Sequence, residues 1–211
     1  MKFPFKELGL LAGMALSVFG VIKAVDYFEP SDLDIMADTK GALVYQEPLQ
    51  KEIETALFTF EAKGAQLIPR ALFDVTGVVL GKKRYPPWGQ YHMAPWDIGM
   101  GWSAMSDPSN LSEVTFWQRN RFMHYRYGAG ASVNKYMIIP NSANIHIIPA
   151  NDEVKRQMSE VKEGNLVRLT GFLVDVSDGE TYLKTSLERG DTGAGACEIL
   201  YVQAVDLDPI S

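Results

Sequence analysis

The stretch Gly164–Val176, GNLVRLTGFLVDV, constrains the fold more than any other. A turn residue opens it, Leu166, Arg168 and Thr170 then alternate with Val167, Leu169 and Gly171, and Phe172, Leu173 and Val174 close it. Period-2 patterning in β-forming residues specifies a half-buried strand. A glycine in mid-run, Gly171, marks a place where such a strand coils sharply around a small closed sheet. The remaining segments read as a β-barrel assembled around this strand.

Several segments fit that reading. Arg70–Tyr85 is a strong strand with Gly77 as a kink, and Thr115–Tyr127 alternates again. In that alternation Arg119, Arg121, Met123, Tyr125 and Tyr127 share one face, and Gln118, Phe122, His124 and Arg126 the other. Tyr136–Ile139 and Ala143–Ile148 are short strands. Asn151 caps a helix running to about Val161, with Val154, Met158 and Val161 on its buried stripe. Thr181–Leu187 and Cys197–Val205 supply the last strands. Pro86–Ser112 is an insertion rich in aromatics, glycine and proline, ending in a short helix capped by Ser106-Asp107-Pro108. Earlier in the chain, Ala42–Gln46 reads as a short strand, and Leu49–Ala56 as a helix leading into a strand that turns at Lys63-Gly64.

The N-terminus sets a second constraint. Leu8–Ile22 carries no charge and, with Lys23 able to snorkel, offers a span from about Leu8 to Phe28, close to the roughly 20 residues a bilayer needs. Ile22-Lys23-Ala24 fits a signal-peptidase site poorly, so a signal-anchor helix over residues 1–28 fits better than a cleaved leader or a buried helix. Lysines before the span and acids after it put the N-terminus in the cytoplasm and the bulk outside the inner membrane. Gly9, Gly13 and Ser17 form a small-residue stripe suited to self-association. Residues 29–69 are expected to be an acidic tether and extension, and residues 70–211 the main domain.

The 211 residues have a net charge of −6, distributed unevenly. Residues 1–25 carry +2, residues 26–69 carry −6, residues 70–135 carry +4 and residues 136–211 carry −6. Overall acidity argues against nucleic acid as the partner. Cys197 is the only cysteine, which excludes an intrachain disulfide and a cysteine metal site. His92, His124 and His146 lack metal-ligand spacing, and no phosphate-loop or dinucleotide motif is present, so neither a metal nor a cofactor is expected.

The order strand, strand, strand, helix, strand, strand resembles an OB-fold over roughly residues 70–207. WDIGMGWSAMSD, NRFMHYRYG, SANIHIIPA and SLERGDTGAGACEILYV together resemble uncharacterised bacterial membrane-anchored proteins. These resemblances imply a mainly β protein with minor α, an OB-like small β-barrel with a helix between its third and fourth strands, held behind an N-terminal transmembrane helix. They imply placement in the cell envelope and no particular activity.

A binding or adaptor role for a protein partner in the envelope follows most directly. Its candidate contacts are Trp96 and Trp102 on the aromatic insertion 86–112, Arg119, Arg121 and Tyr125 on the adjacent strand, and Arg189 and Asp191 in the loop GDTGAG. The alternative is an envelope hydrolase acting on an anionic substrate, with His146 as general base and a carboxylate such as Asp107 or Asp97 behind it. Ser106 would complete a triad, although no nucleophile-elbow sequence surrounds it.

Overall fold

Ten strands carry most of the computed structural model, which describes residues 41–54, 58–86, 93–188 and 196–209. They are β1 (Leu49–Glu52), β2 (Phe60–Ala62), β3 (Ala65–Arg84), β4 (Trp96–Gly101), β5 (Val114–Arg119), β6 (Phe122–Tyr127), β7 (Ser142–Pro149), β8 (Leu166–Ser177), β9 (Tyr182–Leu183) and β10 (Glu198–Asp206). Three short α-helices join them among the described residues: α1 (Pro108–Leu111), α2 (Lys135–Ile138) and α3 (Asp152–Glu160). The protein is mainly β, as expected.

The strand pairings return on themselves. β3 pairs with β4, β4 with β7, β7 with β10, β10 with β8, and β8 again with β3. All of these are antiparallel except β7–β10, and α3 lies in the connection from β7 to β8. Period 2 then sorts the side chains. Phe73 and Val75 of β3, Trp96, Ile98 and Met100 of β4, Ile145 and Ile147 of β7, Leu169 and Leu173 of β8 and Leu200 of β10 meet in one core. Val154 and Met158 of α3 close it. Phe172, Val174, Ile199 and Tyr201 face the other way, forming a second apolar cluster with Phe60 of β2 and Ile148.

β8 is the organising strand, paired along its length with β3 and along half of it with β10. Gly171 lies opposite both Phe73 and Val202, where a Cβ atom would collide with the Tyr201 carbonyl. α3 begins where Asn151 accepts from the Val154 amide at 2.9 Å. Its C-terminal carbonyls are met by Lys82 Nζ, which donates toward Met158, Ser159 and Val161 at 2.6, 3.2 and 2.8 Å. A cation there complements the helix dipole.

Several expected elements are corrected. Trp96–Gly101 is not part of an insertion: it is the second strand of the circuit, and the inserted segment runs from Trp102 to Asn141. Its alternate glycines, Gly99 and Gly101, look like loop in sequence, yet they leave a smooth outer face on which another layer packs. Thr115–Tyr127 is not one strand but the hairpin β5–β6, with Asn120 and Arg121 as its loop. Tyr136–Ile139 is helical, because Asn134 accepts from the Tyr136 amide and caps α2. Leu49–Glu52 is a strand paired with Ala71–Asp74, since an edge partner for β3 outweighs the helical spacing of its apolar residues. Residues 42–46 form no strand. They are tied down as an irregular segment by Ser106, whose Oγ accepts from the Val44 amide at 3.0 Å, and Val44 enters the main core. The packed domain therefore includes residues assigned by sequence to the tether.

Among the described residues no helix is long and apolar enough to cross a membrane. The expected span 8–28, with Gly9, Gly13 and Ser17, lies outside the described residues, as do Arg189 and Asp191.

Candidate functional site

The hairpin β5–β6 sits over the outer face of β4 and β7. Its register pairs Thr115 with Arg126, Trp117 with His124 and Arg119 with Phe122. The two loop residues both take left-handed backbone, φ 53° at Asn120 and 68° at Arg121. A two-residue hairpin loop of this hand normally takes Asn-Gly. An arginine there costs about 1 kcal/mol of steric strain relative to glycine.

What the arginine gains is an anchor. Its Nη1 lies 3.0 Å from Asp97 Oδ1 and donates to the Ala94 carbonyl at 3.0 Å. Its guanidinium stacks 4.4 Å from the centre of the Tyr85 ring. Its own carbonyl accepts from Asn144 Nδ2 at 2.9 Å, and Cys197 Sγ approaches it at 3.7 Å. Gln118 Nε2 donates to Asn144 Oδ1 at 2.8 Å. The hairpin is therefore pinned by a buried polar network, and its inner residues Phe116, Tyr125 and Tyr127 pack on Met105, Val133 and Ile138.

Asp97 is fully buried and lies directly across from His146 in the β4–β7 register. His146 Nδ1 lies 2.7 Å from Asp97 Oδ1, so the carboxylate fixes the orientation of the imidazole ring. One carboxylate oxygen thus holds both the imidazole and the guanidinium. Burial first, and then the Asp97 charge, push the Tyr85 phenol up to about 12. Burial also pushes the Cys197 thiol up to about 11, so it stands beside this cluster as a neutral thiol rather than a nucleophile.

Both shifts run in the same direction and have a measurable consequence. The folded protein retains two protons that the unfolded chain releases near pH 9 to 10. Stability attached to them is complete below that range and is lost as pH rises toward 11 and 12. Iodoacetamide labelling of Cys197 at pH 8 is expected to run roughly 100-fold slower than that of a free cysteine. It should accelerate on approach to pH 11; labelling at the free-thiol rate would show that the site is open.

The expected site residues separate. Trp96 and Trp102 are 3% and 0% exposed and belong to the main core, so neither presents a surface to a partner. Arg121 is consumed by the anchor. Tyr125 faces inward, half-buried and stacked on Tyr127 with ring centres 6.2 Å apart. Arg119 faces solvent. Arg119 and Tyr125 are therefore not on one face: the hairpin loop reverses the alternation that a single strand would have maintained. Asp107 is not beside His146 in any contact of the structure; it caps α1, accepting from the Ser109 amide and hydroxyl at 2.8 and 2.7 Å. Those hydrogen bonds hold its carboxyl below the usual range. The carboxylate that serves His146 is Asp97. Ser106 is engaged with Val44 and Ser103.

The residue missed by sequence reasoning is Trp117, together with its pairing to His124. Trp117 is 44% exposed and stacks on His124, ring centres 5.5 Å apart and planes 15° from parallel. Arg126 and Arg119 lie one row to either side on the same solvent-facing surface. The signal available in the sequence was the asparagine interrupting the alternation at RNRF. Among the described residues no group of three or more histidine, cysteine or acidic side chains is placed to hold a metal.

No family model matches the chain, and no curated protein or solved structure gives a significant match to it.

Proposed function

We propose that the chain is a membrane-tethered binding module of the cell envelope, built on an OB-like barrel. The barrel reading is supported by the closed circuit of pairings, the parallel contact between its third and fifth strands, and a helix between its third and fourth. OB barrels use the face of their second and third strands for binding. Here those strands are β4 and β7, and the chain's own pinned hairpin covers that face. Recognition is thereby displaced onto the solvent side of the hairpin. The observation that carries this reading is the exposed Trp117, stacked on His124 and flanked by two arginines. Tryptophan and arginine are the side chains most enriched at interface hot spots.

The test uses full-length protein captured from its native membrane after crosslinking. A Trp117→Ala/Arg126→Glu double variant is expected to lose a stoichiometric partner by at least tenfold, because a hot-spot truncation costs about 2 kcal/mol or more of binding. Its unfolding free energy should stay within about 1 kcal/mol of wild type, as both positions are on the surface. A partner retained in full by the variant would refute the assignment. Trp96 and Trp102 are unsuitable for this experiment, since truncating them opens the core.

The oriented His146–Asp97 pair favours one second reading, a hydrolase in which His146 acts as general base. His146→Gln distinguishes the two: a binding module keeps its partner with this change, whereas an enzyme loses turnover at unchanged folding.

A further inference from the structure

The register of the hairpin bears on the chemistry of its partner. Three rows of side chains face solvent: Thr115 with Arg126, Trp117 with His124, and Arg119 with Phe122. Rows on one face of a sheet are spaced about 6.7 Å apart, so the two arginines stand about 13 Å apart along the strands with the aromatic stack midway. An extended polypeptide covers that distance in about four residues, and alternate residues point to the same side.

The charge on this surface is of one sign. Val114–Tyr127 contains three arginines and no acidic residue. Among the described residues no carboxylate forms an ion pair with Arg119 or Arg126. Glu113, the nearest acid in sequence, is held by the amide and hydroxyl of Ser132 at 2.6 and 3.1 Å.

Resting on the binding reading above, we infer that the partner meets this hairpin as a short extended acidic segment. It carries two carboxylates four residues apart, one for Arg126 and one for Arg119, with an apolar or aromatic side chain midway over the Trp117–His124 stack. Each arginine can hold a carboxylate through paired N–H donors. The short length matters. The charge of −6 carried by residues 136–211 repels a long polyanion that overruns the patch. Two carboxylates confined to it escape most of that repulsion. This favours an acidic peptide over a nucleic acid strand.

The full chain in detergent is titrated with three probes while the Trp117 indole resonance is followed, assigned by its loss in Trp117→Phe. The first is a capped seven-residue peptide with glutamates second and sixth and phenylalanine fourth. The second is its isomer with glutamates third and fifth, and the third is an oligothymidylate of equal charge. The first peptide is expected to bind about tenfold more tightly than its isomer, and Arg126→Gln should abolish that advantage. Equal binding of the two peptides, or tighter binding of the oligothymidylate, overturns the spacing inference while leaving Trp117 as a contact surface. No movement of the Trp117 resonance with any probe also overturns it. The partner-capture experiment decides the broader binding reading separately.

Discussion

Asp97→Ala is expected to destabilise the domain by about 3–5 kcal/mol, the usual cost of removing one partner from a buried ion pair. For a domain of this size that lowers Tm by about 10 °C. The reason is the concentration of contacts on one carboxylate. Asp97 is fully buried, and its Oδ1 alone receives Arg121 at 3.0 Å and His146 at 2.7 Å. Deleting it leaves a half-buried guanidinium beside the Ala94 carbonyl and the Tyr85 ring without the carboxylate that balanced its charge. It also removes the reward that holds Arg121 in left-handed backbone. Arg121→Gly should therefore be milder than Asp97→Ala, because glycine relieves about 1 kcal/mol of strain while the ion pair is lost. The double variant Asp97→Ala/Arg121→Gly should recover part of the deficit, since no buried cation remains unpaired. Urea unfolding of the four proteins gives the coupling. A loss under about 1 kcal/mol in Asp97→Ala would mean that the hairpin is held by Gln118, Asn144 and its apolar underside instead.

Where period and caps act locally, sequence and structure agree. Leu166–Ser177, Ser142–Pro149 and the helix capped by Asn151 were legible because their side chains alternate or recur on one face and their ends carry turn or cap residues. The same period puts Asn144 and His146 on one face of their strand. What could not be read locally was set by the tertiary layer. Trp96–Gly101 reads as loop because Gly99 and Gly101 contribute nothing to an apolar pattern, and their value appears only when Met123 and Met105 pack against them. Leu49–Glu52 has helical spacing but meets an open edge of β3. The hairpin was the costliest omission for function. Missing its two-residue loop placed Arg119 with Tyr125 and hid the pairing of Trp117 with His124, while reading residues 86–112 as an insertion assigned surface roles to Trp96 and Trp102, whose neighbours make them core. Asp97 and His146 lie 49 positions apart in sequence, and only the β4–β7 register brings them opposite one another.

Gly171→Ala is expected to cost at least about 3 kcal/mol, toward the upper end for an added methyl group, because the obstruction is backbone and cannot rotate away. The added carbon would run into the Tyr201 carbonyl and the Val202 Cα. Relief requires β8 and β10 to separate, and their contact closes the circuit of pairings. The irregularity in β10 between Val202 and Ala204 falls at the same crossing, so the partner strand is already bent there. Gly164→Ala supplies the control. Gly164 takes φ +83° at the turn before β8, and a Cβ there meets nothing within 4 Å. Its substitution should cost only about 1 kcal/mol, through left-handed backbone strain. One glycine lies within β8 and the other in the turn before it, and they fail for different reasons, one for want of space and one for want of backbone freedom. Equal unfolding midpoints for the two variants would show that β8 and β10 are not in close contact at residue 171. A clearly larger deficit in Gly171→Ala than in Gly164→Ala would place the limiting constraint of the fold at the crossing of its two central strands.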